Sequence, residues 1–325
     1  MEYPERREVG QDMKAVGVIE YGGPDALQVV ELPEPEVGPG QVLIRVHAAA
    51  VSPTDTMVRN GSRSEAQKAA GPPPYVPGMD AAGVVEEIGE GVATELAVGD
   101  HVMAIVVPNG SHGAYSERIV VPAESVARQP AGATHVEAST LPMNGLTAQL
   151  ALDVLGLEPG QTLAVTGAAG AFGGYVVQLA KAAGLTVVAD ASEADEELVG
   201  RLGADVVLRR GDDFADRVRE RYPNGVDGAA DGALLNGLLA PAVRDGGTVT
   251  TVRGYRDTAE RGVVFHPILV REYALAQVKL DRLRELAEAG RVTLRVAGTV
   301  PKEQAGEAHR RLEAGGLRGR MVIEF

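Results

Sequence analysis

Gly167, Gly170 and Gly173 stand three residues apart in "LAVTGAAGAFGGYVVQLAKAAGLTVVAD", residues 163–190, where a β-branched run gives way to a helical pattern. Glycines at such a junction suit a phosphate. The first turn of a helix offers unpaired N–H groups and the positive end of its dipole, and a pyrophosphate sits there if no side chain blocks it. Gly170 permits that approach, and Gly173 lets the helix pack close on the strand. Phe172, Val176, Leu179, Ala180 and Ala183 supply the apolar face of that helix. The dinucleotide fingerprint is G-x-G-x-x-G. Here Ala168 replaces its first glycine and Gly167 stands one place earlier. On the motif alone, a tight strand–helix turn that holds nothing stays open. The strand–helix alternations that follow it favour the nucleotide. An acid about twenty residues beyond such a turn binds the adenosine ribose in NAD sites, and Asp190 stands at that distance.

Other chemistries are excluded by what the chain lacks. It has no cysteine, so disulfides and thiolate metal sites are ruled out. Its six histidines, His47, His101, His112, His135, His266 and His309, show no His-x-x-x-His pairing, and each is expected on the surface or in the core. The net charge of −14 argues against nucleic-acid backbones and anionic membranes as partners. Aromatics make up only 4% and tryptophan is absent, so a stacking surface for bases or sugars is not expected.

The elements that must position the turn can be read from the same chain. Its 325 residues are long for a single core and point to two domains. "MKAVGVIEY", "ALQVVELPEP", "GQVLIRVHAAAVS", "DAAGVVEEIG", "GDHVMAIVVP" and "GAYSERIVVP" are short β-branched runs broken by glycine and proline. From about Pro130 the rhythm changes. A helical stretch, "HVEASTLPMNGLTAQLALDVLG", precedes strands "TLAVTG", "LTVVAD", "ADVVLRR", "GVDGAAD", "GTVTTVRG" and "VVFHPILV", spaced by helical patterns. Phe214, Val218 and Tyr222 share one helical face, and Leu234, Leu235, Leu238 and Leu239 are expected to share another. Such alternation implies a parallel sheet covered on both faces. The last fifty residues resemble the first third, so both chain ends build a β-rich domain with the α/β domain inserted. The N-terminal "MEYPERREVGQD" lacks an apolar core, reads as a mobile leader over residues 1–12, and gives no secretory signal; the protein is expected to be cytoplasmic.

Several motifs in this order resemble the medium-chain dehydrogenase/reductase superfamily, and more closely its zinc-free quinone oxidoreductase (zeta-crystallin-like) branch. They are "PPPYVPGMDAAGVVEEIGEGV", "GAYSERIVVP", "ASTLPMNGLTAQLAL", "VTGAAGAFGGYVVQLAK" and "RLGAD". The likeness runs from Met13 to Phe325. It implies a Rossmann doubly wound parallel sheet, residues 132–272, inserted into a GroES-like β-rich catalytic domain, residues 13–131 plus 273–325. It also implies a homodimer through the sheet edge at "GTVTTVRG" and "VVFHPILV".

The resemblance carries residue roles with it. The zinc ligands of the alcohol dehydrogenases fall on Ser52, Met79 and Met143, which leaves only Asp80 as a hard ligand, and a lone carboxylate makes no zinc site. Without a Lewis acid, hydride addition to an already polarised acceptor, a quinone or a carbonyl-conjugated alkene, is favoured over alcohol oxidation. "AVSPTDTMVRNG" forms the pocket floor, with Ser52 where many relatives carry Asn and Met57 where some carry Tyr. Ser52, Asn144 and Tyr75 are the catalytic candidates; Tyr115 and Tyr255 are the other available phenols, Asp55 holds the loop, and water can supply the proton. Thr147 places the nicotinamide ring, or else caps or packs a helix. Gly167, Ala168, Ala169, Gly170, Ala171, Phe172, Asp190, Ser192, Arg253 and Gly254 are the remaining cofactor candidates. The alignment puts Ala191 at the ribose acid's usual place. Ser192 matches the branch's 2′-phosphate serine, yet the following lysine has no counterpart, and Glu193, Asp195, Glu196 and Glu197 surround the site. Arg209 and Arg210 are available to compensate. NADPH is the expected cofactor, with NADH as competitor, and no zinc. Alternative functions are a specialised biosynthetic enoyl or ketone reductase and a nucleotide-binding protein with a non-catalytic role.

Overall fold

The computed structural model describes residues 12–92 and 95–325. The leader expected over residues 1–12 lies outside these except for Asp12, which opens the first strand. Strands β1 (Asp12–Val18), β2 (Leu27–Pro33) and β3 (Gln41–Ala50) lead into helices α1 (Pro53–Arg59) and α2 (Ser64–Ala70). Strands β4 (Asp80–Ile88), β5 (His101–Ile105), β6 (Arg118–Pro122) and β7 (Val126–Arg128) follow, then helices α3 (His135–Ala138) and α4 (Pro142–Leu155). The alternating segment runs β8 (Thr162–Thr166), α5 (Ala171–Ala182), β9 (Thr186–Ala191), α6 (Glu196–Arg201), β10 (Val206–Arg209), α7 (Phe214–Arg221) and β11 (Val226–Asp231). It ends with β12 (Val243–Thr251), β13 (Asp257–Thr258) and β14 (Val264–Pro267). The chain closes through α8 (Gln277–Glu288), β15 (Val296–Pro301), α9 (Ala305–Ala314) and β16 (Arg320–Glu324).

The alternating strands form one sheet in the order β10-β9-β8-β11-β12-β14-β13, parallel except for the two-residue β13. The order reverses between β8 and β11, and ligands of such sheets bind at the carboxyl ends of the strands flanking that point. Buried runs such as Leu163, Ala164 and Val165 on β8 are apolar on both faces because helices cover both. The second large sheet runs β15-β16-β3-β4-β5-β7, with β6 also on β3, while β1 and β2 pair with each other in a two-stranded sheet. Helix α8 buries Leu280 and Leu283 in the same core as Leu146, Leu163 and Val176. Among the described residues no helix is long and apolar enough to cross a membrane.

Two local expectations change. The leucines at 234, 235, 238 and 239 do not make an amphipathic α-helix. Asn236–Ala242 is a 3-10 run, Leu234 and Asn236 have positive φ, and Leu234 and Leu238 are exposed. The Asp231 carboxylate accepts the N–H groups of Leu235 (3.1 Å) and Asn236 (2.7 Å), and Pro241 interrupts the run. Conversely, the pocket-floor stretch is a helix, α1. Ser52 caps it, Pro53 opens it, and Asp55 closes a capping box.

Three of the histidines are not independent. The rings of His47 on β3 and His135 at the start of α3 stack at 4.7 Å, and His101 on β5 stacks on His135 at 4.8 Å. Burial, followed by His47, His101 and Arg45, pushes His135 down to about 4, and burial and Arg45 lower His47, with Glu86 opposing. A histidine with a depressed folded pKa binds fewer protons folded than unfolded. Its contribution to stability is present above about pH 6.5 and is lost as the pH falls through about 4. Thermal melts from pH 7 to pH 4 should therefore show His135→Phe, which keeps a ring but cannot be charged, losing less stability than the wild type. Parallel curves would show that the stack does not titrate with folding.

Candidate active site

The glycine turn joins β8 to α5 at the carboxyl edge of the sheet. Gly167 has φ +66°, a left-handed value that favours glycine. Gly170 caps α5, and its N–H bonds the Gly167 carbonyl at 2.9 Å. A Cβ on Gly170 would have only the Gly167 oxygen within 4 Å, at 3.1 Å, so the space above the turn is open. A Cβ on Gly173 would lie 2.3 Å from that oxygen and 2.7 Å from the Gly167 carbonyl carbon. Gly173 thus sets how closely helix and strand approach. The close approach at Gly173 is the one expected from the sequence.

Two groups pin the turn. The Asp190 carboxylate, at the end of β9, accepts the Ala168 N–H at 3.0 Å. Burial pushes its pKa up, against the Ala168 and Gly167 N–H groups, which favour the charged form. Asp190 therefore faces the turn's own backbone. From the far end of the sequence, Arg295 donates to the carbonyls of Ala169 (2.9 Å) and Gly170 (2.5 Å). Its positive charge lies beside the helix N-terminus, and it fits only because residue 174 is glycine, where a Cβ would come within 2.1 Å of Nη2. Nothing within the 163–190 stretch announces this arginine.

Ser192 follows β9, and its hydroxyl donates to Asp195. Arg318 grips the same carboxylate through Nε and Nη2, the latter at 2.8 Å. Arg318 comes first among the groups that hold Asp195 below the usual carboxylate range, and Arg210 also contributes. The acid nearest Ser192 is therefore neutralised by a residue more than a hundred positions away.

A cleft of about 1020 Å³ lies at the carboxyl side of the sheet, and Asn144, Thr147, Phe172, Arg253 and Gly254 all line it. Thr147 donates its hydroxyl to the Met143 carbonyl (2.5 Å), which leaves its oxygen free to accept. Arg253 has φ +68°, a strained value for a side chain of its size, next to Gly254 at +86°. Asp231, at the end of β11, holds Thr166 at the end of β8 (2.6 Å) and so shapes the Gly232–Leu234 wall. Ala168, Ala169, Ala171, Asp190 and Ser192 stand outside this lining, along the turn and the end of β9.

Ser52 and Tyr75 also stand outside it. Ser52 is fully buried, and its hydroxyl is shared with Thr54 (2.6 Å) and the Asp55 carboxylate (3.0 Å). Thr54 is the hydroxyl that reaches the cleft. Tyr75 stacks on Tyr21 with ring centroids 5.5 Å apart and donates to the Gly71 carbonyl at 3.4 Å. Asp55 lines the cleft as well, and burial raises its pKa to about 6. It accepts the Ser52 N–H (2.7 Å), the Gly78 N–H (3.2 Å) and the Tyr115 hydroxyl (3.1 Å). Arg59 donates to Nδ1 of His309 (3.2 Å), so the proton of this neutral ring sits on Nε2 and is given to Tyr115 (3.2 Å). The phenol of Tyr115 is thereby aimed at Asp55. Tyr255 donates to Asp257 (3.0 Å).

The positions that resemblance assigns to zinc ligands do not fit a metal. Met79 sulfur accepts from Thr54 (3.2 Å) and Met143 sulfur lies 3.5 Å from the Thr147 hydroxyl. Asp80 is held by Arg320 (2.9 Å) and by the Met143 N–H (2.6 Å), so its charge is already satisfied. Among the described residues no group of three or more His, Asp or Glu side chains could hold a metal ion.

Residues 38–131 match the alcohol dehydrogenase GroES-like domain, and residues 202–323 match the zinc-binding dehydrogenase family. The chain is 30% identical to the mitochondrial NAD(P)H oxidoreductase RTN4IP1 of Mus musculus over 88% of its own length and 82% of that protein's. It is 32% identical to a chloroplastic NADPH-dependent alkenal/one oxidoreductase of Arabidopsis thaliana over 76% of its length and 64% of the relative's. In three dimensions it matches the quinone oxidoreductase of Coxiella burnetii with a TM-score of 0.83 at 27% identity, over 97% of this chain and 100% of that one.

Gly173→Ala should cost about 1–3 kcal/mol or more, because backbone must move to admit the methyl. Gly170→Ser, which keeps a favourable helix cap, should melt within about 1 kcal/mol of the wild type yet lose nicotinamide nucleotide binding. Thermal melts and fluorescence titrations would check the pair, and equal losses of stability would contradict the difference between them. Asp190→Ala should weaken NADH and NADPH alike, by about tenfold, as expected for a lost hydrogen bond to a charged group. A loss confined to NADH would show that Asp190 holds the ribose instead.

Proposed function

The chain belongs to the medium-chain dehydrogenase/reductase superfamily, and from that premise we propose that it is a zinc-independent NAD(P)H-dependent reductase of quinones or carbonyl-conjugated alkenes. The observation that carries this reading is the meeting of Asn144, Thr147, Phe172, Arg253 and Gly254 in one cleft whose would-be metal ligands are Ser52, Met79 and Met143. The names of the Arabidopsis and Coxiella relatives, an alkenal/one oxidoreductase and a quinone oxidoreductase, support it.

The open turn at Gly167–Ala171 suits the pyrophosphate, with Arg295 adding positive charge. When bound, the reduced nicotinamide supplies hydride to the acceptor. Thr147 and Asn144 orient the ring and the substrate carbonyl within the cleft. Thr54 presents a hydroxyl to the same space, backed by Ser52 and then by Asp55, whose pKa of about 6 lets it hold a proton near neutrality. That line can pass one proton to the enolate or quinolate oxygen, and Asp55 regains it back along Ser52 and Thr54 from water that enters the cleft as product leaves.

We assign NADPH as the preferred cofactor. Asp190 is committed to the turn, while Ser192 lies beside an Asp195 whose charge Arg318 offsets, with Arg210 near. Residues 13–131 with 273–325 and residues 132–272 are proposed as catalytic and nucleotide domains. A homodimer is proposed through the end of the sheet; β12, expected at that edge, is interior between β11 and β14, and the two-residue β13 covers β14, with Leu269 just beyond β14 exposed at 55%.

In chelator-treated buffer, NADPH absorbance should fall on addition of 1,4-benzoquinone or an aryl vinyl ketone, with NADH a poorer donor. Arg318→Gln should narrow the preference for NADPH by about tenfold, the worth of one charge-assisted contact. Turnover that is lost to chelator and restored by zinc would overturn the zinc-independent assignment. No turnover with either acceptor would overturn the reductase reading.

A further inference from the structure

The charge inside the cleft runs against the charge of the protein. The chain carries 45 acidic and 31 basic residues, yet the cleft is lined by Arg63, Arg253 and Arg271 and by a single acid, Asp55. That acid accepts four hydrogen bonds, from Ser52, Gly78 and Tyr115, and burial raises its pKa to about 6. Arg59, Arg118, Arg284 and Arg320 are paired with carboxylates, whereas Arg63 is half-buried and Arg253 and Arg271 are exposed. Among the described residues Arg63, Arg253 and Arg271 have no such partner. The Nε of Arg63 is buried and makes no hydrogen bond at all. Burial and the neighbouring charge of Arg271 both lower its pKa.

Arg63 is half-buried and feels the like charge of Arg271, and its buried Nε–H without a partner is costly. Such a pair is at its most stable when an anion bridges it, since the planar fork of a guanidinium fits a carboxylate through two parallel N–H bonds. The rest of the lining limits what that anion is attached to. Met57, Val58, Val107, Phe172 and Ile268 give the cleft an apolar body. The phosphates of the dinucleotide are accounted for elsewhere, since Gly167 and Gly170 do not line this cleft.

We propose that the substrate of this cleft is an anionic amphiphile, a quinone or enone whose apolar body carries a carboxylate, and that Arg63 and Arg271 hold that carboxylate. The proposal rests on the reductase reading for the reacting group but not for the anion site itself. Arg63, at the start of α2, and Arg271, beyond β14, are more than two hundred residues apart and line the same cleft. A neutral quinone would fill the apolar part and leave both cations unanswered.

The test compares an acid with its own ester. With saturating NADPH, kcat/KM for 3-benzoylacrylate should exceed that for methyl 3-benzoylacrylate by tenfold or more in the wild type. Arg271→Gln, at an exposed position, and Arg63→Gln should each bring the ratio toward one, whereas Arg63→Lys should keep part of it. Binding is read separately, by calorimetric titration of the NADP⁺ complex with the saturated acid 3-benzoylpropionate and its methyl ester. The acid should bind at least tenfold more tightly, and the difference should vanish in Arg63→Gln. If neither enone is reduced but the acid still binds through the arginines, the reductase reading falls and the anion site stands. Equal binding of acid and ester overturns the anion site. Loss of NADPH affinity in Arg63→Gln with an unchanged acid-to-ester ratio also overturns it, by assigning the arginines to the cofactor.

Discussion

Asp80 is a carboxylate with no exposure to water, and three distant parts of the chain depend on it. One oxygen takes the Nη2–H of Arg320 on the last strand, and the other takes the N–H of Met143 in the first turn of α4. Arg320 in turn donates Nε–H to the carbonyl of Val51, just before α1. Strands β4 and β16, the loop into α1 and the first turn of α4 are fixed to one another through this pair. Burying two charges is expensive, so the pair is weak evidence of extra stability, but removing one partner would cost about 3–5 kcal/mol by stranding the other. The pair's larger effect is positional. Thr54 and Asp55 on one side and Asn144 and Thr147 on the other are each within one or two turns of a residue that Asp80 or Arg320 holds.

The same economy shapes the nucleotide turn. Gly173 brings helix to strand, Gly174 admits Arg295, and Asp190 and Arg295 bind opposite polarities of the turn's backbone, one taking an N–H and the other supplying donors to carbonyls. With those groups satisfied, what the turn still offers outward is the N-terminus of α5. Arg295 belongs to the stretch leading into β15, so the turn of one sheet is completed by a residue that returns to the other.

Legibility in the sequence followed the range of the interaction. The sheet, its helices and the return of the C-terminus could be read because alternation and β-branching are local signals. The close packing at Gly173 could be read because spacing on a strand–helix turn is local as well. Helix α1 was legible in principle, since Ser52, Pro53 and Asp55 spell a cap, a first helical residue and a capping box, but it lay inside a stretch read as loop. The leucines at 234–239 show the reverse. Their spacing is helical, yet Asp231 captures the N–H groups that would start the helix, and a side chain's choice of backbone partner leaves no trace in periodicity. Asp190 stood at the distance of a ribose ligand, and its bond from the Ala168 N–H was not legible because distance along the chain does not tell which way a side chain turns at a strand end. Arg295, Arg318 and Arg271 were out of reach because each acts on residues more than a hundred positions away.

On the zinc-independent reading, the polarised oxygen of a substrate needs a positive charge from another source. Ser52, Met79 and Met143 are neutral, and Arg320 is committed to Asp80. A unit charge about 8 Å from a developing oxyanion, in an effective dielectric near 20, contributes about 2 kcal/mol. Arginines in the cleft wall can therefore act on the reacting oxygen through space without touching it, provided that no acid beside them cancels the field. In this chain, acids are abundant on the surface and scarce in the cleft, and the single exception, Asp55, is raised toward neutrality by burial. The depletion of acids and the raised pKa of Asp55 work in one direction. Both keep negative charge away from the place where electron density arrives, which favours the charge that hydride addition creates.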